Sequence, residues 1–114
     1  MINAETLLGN GYRRSDHRLN EACNTLYQKK VVDARGTRYF IDIHEYDWSV
    51  YPQRIGPRFS YEPQVRFYEG DGETAVNMTV MLDRVKTVED LEAYVDSMWK
   101  RMEFGYYELV SYTE

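Results

Sequence analysis

A single cysteine, Cys23, stands in 114 residues, so no intramolecular disulfide can staple the chain and packing alone must hold the fold. A reducing cytoplasm suits such a sequence. Proline and glycine are scarce, at three and seven, which excludes collagen-like and low-complexity chains. Apolar runs extend only a few residues, and Met1-Ile2-Asn3-Ala4-Glu5 has no basic segment ahead of an apolar one, so neither membrane spanning nor secretion is indicated. Only two histidines are present, His17 and His44, and neither they nor Cys23 lie at the short paired spacing of zinc sites, so no metal is expected. No cofactor is expected either, because Gly9-Asn10-Gly11 matches neither a phosphate-binding loop nor a dinucleotide fingerprint.

Positive charge is also short, with 14 Lys and Arg against 19 Asp and Glu for a net of −5. Residues 1–58 carry 9 basic and 7 acidic side chains, whereas residues 59–114 carry 5 and 12. Nucleic-acid binding draws on clustered cations, so this balance argues against it. What the chain does have is apolar and aromatic content: 43% hydrophobic residues and eleven tyrosines, enough for a core in one domain spanning residues 1–114.

Periodicity gives the fold class. Val88, Leu91, Val95, Met98 and Met102 recur at three- and four-residue spacing, with Tyr94 and Trp99 widening the stripe, which predicts an amphipathic helix over residues 88–103. Thr87 caps it, Glu89 and Asp90 meet the positive end of its dipole, and Gly105 is placed to stop it. Upstream, alternation replaces the helical period. Tyr39, Ile41 and Ile43 share one face of a strand over 37–46, while Phe40, Asp42, His44 and Tyr46 share the other. Residues 25–32 form a hairpin with it across Asp33-Ala34-Arg35-Gly36, and Lys29 and Lys30 suit an edge strand, where charge discourages pairing with another molecule. A strand over 59–67 contains Pro63, which needs a bulge or an unpaired edge position. Glu69-Gly70-Asp71-Gly72 then turns into a strand over 76–82. These elements make an α+β fold, an antiparallel four-stranded meander with the amphipathic C-terminal helix packed on one face. Residues 4–8 read as a short helix capped by Asn3 and stopped by Gly9, residues 13–24 show no period, and Tyr106 to Tyr112 reads as a final strand or an extended tail.

Function is carried by surface aromatics rather than by a catalytic motif. Asp47 to Arg58 is a long loop for a compact domain, and loops of this kind often serve binding. Its candidate binding residues are Trp48, Tyr51, Arg54, Ile55 and Arg58, because Trp, Tyr and Arg are the side chains enriched at interface hot spots. The alternative is that Trp48 and Ile55 fold back over a core edge. A second candidate surface is the sheet face opposite the helix, where Phe40, Asp42, His44 and Tyr46 would neighbour Glu62, Gln64, Arg66 and Tyr68, and Asn77, Thr79 and Met81. Two other readings stand beside a binding module: self-association through these surfaces, and a small enzyme using His44 with Asp42 or Glu45. A Cys–His pair from Cys23 and either histidine is a weaker version of the latter.

The segments Tyr27-Gln28-Lys29-Lys30, Gly36 to Ile43, Thr87 to Glu92, Trp99 and Tyr106-Tyr107-Glu108 resemble, in that order, small uncharacterised proteins encoded by bacteriophages and prophages. The resemblance covers roughly residues 25–112, rests on structural motifs and supplies no catalytic or binding residues. It implies an accessory protein in the host cytoplasm whose partner is a host or phage protein, with this chain as its inhibitor or adaptor. On this view Trp48→Ala abolishes partner capture and leaves the fold intact.

Overall fold

In the computed structural model residues 1–33, 36–69, 74–79 and 85–113 are described, with side chains at 1–32, 39–67 and 85–101. The first element is a short helix, α1 (Ala4–Gly9), and its start follows from two side chains. Asn3 Oδ1 accepts from the Thr6 N–H at 2.9 Å, and Thr6 Oγ1 accepts from the Asn3 N–H at 3.0 Å, a reciprocal capping box. Gly9 is its last residue rather than its stop, and the chain reverses at Gly11, where φ is +85°.

Among the described residues five antiparallel strands follow in meander order: β1 (Arg13–Asp16), β2 (Cys23–Asp33), β3 (Gly36–Asp47), β4 (Phe59–Glu69) and β5 (Thr74–Thr79). Four of them are the strands that alternation predicts, and the fold is α+β as expected. The addition is β1, four exposed residues too few to show a period. It pairs only from Arg13 opposite Gln28 to Asp16 opposite Thr25. Lys29 and Lys30 therefore lie just past its end, where among the described residues β2 has a paired neighbour only on its β3 side, the local edge position expected for them. Pro63 sits opposite Ile43 in the interior strand β4. The last described β4–β5 pair is Gln64 with Thr79, one step short of Pro63. Val80 to Leu82, the turn residues 34 and 35, and residues 70–73 lie outside the described residues.

The last element, α2 (Val88–Thr113), begins as expected: Thr87 Oγ1 accepts from the Asp90 N–H at 3.0 Å. It does not stop at Gly105. The helix runs on through residues 106–112, which were expected as strand or tail. Glycine inside a helix costs only about 1 kcal/mol relative to alanine, and no proline follows to enforce a stop. Val88, Leu91 and Val95 are buried against Tyr39, Ile41, Ile43, Val65 and Phe67, with Met98 and Trp99 packed at the margin. Each buried aliphatic contributes about 1.5–3 kcal/mol. Tyr94, expected to widen the stripe, is exposed instead. Lys29 shares the helix-facing side of β2, its stem along the sheet and its ammonium on Glu92 at 2.7 Å and the Asn10 carbonyl at 2.9 Å. Tyr39 points its hydroxyl to Asp96 at 3.5 Å, and burial followed by the charges of Asp96 and Glu92 pushes its pKa up to about 12.

Candidate functional site

Beyond β3 the chain leaves the sheet in a single turn of 3₁₀ helix, Trp48–Val50, and returns at Phe59. The base of this loop is closed twice. Trp48 N–H donates to the Arg58 carbonyl at 2.7 Å, and the Arg58 guanidinium grips Asp47 through Nε at 3.0 Å and Nη2 at 3.1 Å. Asp47 also accepts from the Ser49 N–H at 3.1 Å, capping the turn. Hydrogen bonds from Arg58, then from Ser49, hold the Asp47 carboxyl well below the usual carboxylate range.

Inside the loop Trp48 acts as an anchor. Its ring stacks on Tyr46 at 5.2 Å and 13°, its Nε1 donates to Ser60 Oγ at 2.8 Å, and the Arg54 guanidinium lies over it at 4.3 Å. Arg54 in turn donates to the Pro57 carbonyl at 3.1 Å, and Tyr51 reaches Glu21 at 3.4 Å. Gly56, with φ at +127°, supplies a backbone that other residues rarely adopt. Ile55 next to it in the chain is 97% exposed, and Val50, Tyr51 and Phe59 in the same stretch of chain are exposed too. The five predicted binding residues thus separate into two roles. Trp48, Arg54 and Arg58 hold the loop, Ile55 and Tyr51 are presented by it.

The sheet face opposite the helix has the register expected, with Phe40 opposite Arg66, Asp42 opposite Gln64 and His44 opposite Glu62. Rather than lying open, its centre is covered by its own long side chains. Arg66 binds Asp42 at 2.6 and 3.3 Å while lying 4.5 Å over the Phe40 ring, and Gln28 donates to Asp42 at 2.7 Å. Asp42 and His44 are consequently only 7% and 8% exposed. The side chains of Tyr68, Asn77 and Thr79, and Met81 altogether, lie outside the described residues.

Geometry bears directly on acid–base readings of His44. Glu45 is its neighbour in β3 and therefore faces the other side of the sheet, while Asp42 is held by Arg66 and Gln28. Cys23 Sγ does approach His44 Nδ1, at 3.8 Å, and the His17 ring lies tilted against the His44 ring at 5.9 Å. Cys23 is fully buried, and burial together with the Glu62 charge pushes its thiol pKa up, the opposite of what a nucleophile needs. Among the described residues no group of three His, Cys, Asp or Glu is disposed to hold a metal ion, and no helix is long and apolar enough to cross a membrane.

One polar centre departs from the expectation that paired Glu45 with His44. Glu45 lies on the helix side of β3 and is only 9% exposed. Its Oε2 accepts from the Tyr61 hydroxyl at 2.8 Å and from the Tyr27 hydroxyl at 3.4 Å. The signal was present in the alternation: Glu45 is in phase with Tyr39, Ile41 and Ile43, a charge on the face that buries everything else. Compared with protein-family models, with curated proteins and with solved structures, the chain matches none.

Proposed function

We propose that the chain is a non-enzymatic module that binds another protein through the tip of the Asp47–Arg58 loop. The observation that carries this reading is Ile55, 97% exposed on a loop closed at its base by main-chain and ion-pair contacts. A loop already fixed in shape spends little conformational entropy on association, so an apolar tip on a rigid base is the arrangement that favours binding. Isolated exposed apolar residues are common on surfaces, but here Val50, Tyr51 and Phe59 are exposed on the same segment. The resemblance to small phage and prophage proteins supports a host or phage protein as partner and the host cytoplasm as the setting, with inhibition or bridging of that partner as the outcome.

The anchoring of Trp48 changes the test. Trp48→Ala removes the stack on Tyr46 and the bond to Ser60, so it loosens the loop as well as any interface. Ile55→Asp touches neither and should leave stability within about 0.5 kcal/mol of the parent. A partner captured from bacterial lysate, then purified and titrated by calorimetry, should lose about 2 kcal/mol or more of affinity with Ile55→Asp if the tip is a hot spot. Unchanged affinity would remove the loop from the interface. Sedimentation over a range of concentrations addresses the alternative of self-association: a mass that doubles with concentration, and does so only while Ile55 is apolar, assigns the same tip to a second copy.

A further inference from the structure

Neither helix closes over the far end of the helix-facing side of the sheet. There a cleft of about 380 Å³ opens between the start of α1, β1, β2, β3 and the start of β4, with Glu45, Tyr27 and Tyr61 on its floor and Ala4, Arg14, Asp47 and Arg58 among its walls. Its size falls within the usual range for small-ligand sites, about 300–1,000 Å³. Among the described residues Glu45 takes part in no salt bridge, and only its Oε2 accepts hydrogen bonds, both from tyrosine hydroxyls. Burial, followed by Glu45 itself, pushes both phenol pKa values up, so the two hydroxyls remain donors and Glu45 remains the acceptor. Oε1 is left to the cleft. A carboxylate that is nine-tenths buried with no cation beside it is costly to keep, unless something supplies one.

The opposite wall poses the complementary question. Arg14 faces the same side of the sheet as its pairing partner Tyr27, lines the cleft, and has no ion-pair partner among the described residues. Asp47 and Arg58 neutralise each other at the rim. A simple cation entering the cleft would meet Arg14, and a simple anion would meet Glu45. Only a ligand carrying both charges satisfies both walls. β1 and β3 are separated by two strand spacings, roughly 10 Å between backbones, and Glu45 stands one same-face position along from the Arg14–Tyr27–Ile43 row, so both side chains line the one cleft.

We infer that this cleft is a binding site for a small zwitterion of the α-amino-acid type, its ammonium on Glu45 Oε1 and its carboxylate on the Arg14 guanidinium. The rings of Tyr61 and Phe59 give the ligand's apolar portion a surface to lie against. The site is separate from the loop tip, and its test does not depend on any protein partner.

The experiment is a titration of the intact protein with each common L-amino acid at millimolar concentration, followed by nuclear magnetic resonance shifts of β2 and β3 amides. At least one should bind saturably, and its N-acetyl and carboxamide derivatives, each missing one charge, should both bind about tenfold or more weaker, as expected for loss of a charge-assisted hydrogen bond. Arg14→Gln alters an exposed side chain and should weaken the zwitterion as much as the carboxamide does, whereas Arg13→Gln, on the other side of β1, should not. Glu45→Gln should abolish the preference for a free ammonium; if that variant fails to fold, the derivatives and Arg14→Gln decide alone. Saturable binding by no amino acid would overturn the assignment, as would a blocked derivative that binds as tightly as its parent amino acid.

Discussion

The two faces of the sheet solve the same problem by different means. On one, aliphatic and aromatic side chains are covered by α2, and the stabilisation is burial of apolar surface. On the other no helix lies among the described residues, yet Asp42 and His44 are nearly as buried, covered by Arg66, Gln28 and one another's neighbours. A face without a covering element is therefore not the same as a face open to partners. Long charged side chains lay their apolar stems over rings and bring the compensating charge with them.

Three perturbations test that difference. Leu91→Ala, fully buried where α2 meets the sheet, should lower unfolding free energy by about 2–5 kcal/mol in denaturant melts, since the neighbouring side chains cannot collapse fully into the space. Arg66→Ala should cost less, about 1–3 kcal/mol, because it strands a nearly buried Asp42 carboxylate that keeps only Gln28. Adding Asp42→Asn to Arg66→Ala should recover part of that loss; if the double variant is no more stable than the single one, charge stranding is not what covers this face. The smallest effect is read from the alkaline limb of stability against pH. Tyr39 ionises at about 12 in the folded state against 10.0 for the free phenol, so its contribution is complete below pH 10 and is lost as pH rises through 12. Tyr39→Phe should flatten that alkaline loss of stability, and an unaltered alkaline limb would place the origin elsewhere on the helix-covered face.

The same contrast explains what the sequence made legible. The meander and the core of α2 follow from period 2 and period 3.6, which residues 37–46 and 88–98 display over several repeats. β1 has four residues and no repeat to display, and a glycine at position 105 reads as a stop only until the helix on either side outweighs it. Within the loop, composition located the segment but not the division of labour. Trp48 and Ile55 are both large and apolar, and only the partners of the indole, Tyr46 and Ser60, separate an anchor from a tip. Glu45 was legible in principle, because its phase is that of the buried face; the weight given to His44 on the other face obscured it.

The closed base of the loop has a consequence for how this surface can change. With Asp47 and Arg58 joined by two hydrogen bonds and Trp48 N–H on the Arg58 carbonyl, the strands end in fixed register whatever stands between residues 52 and 56. Closing a longer loop costs little, about 0.6 kcal/mol for each doubling of length. The tip is thus a replaceable cassette: substitutions and insertions there rewrite what the molecule presents without disturbing the sheet that presents it, which makes this the segment to randomise or graft when a new specificity is wanted.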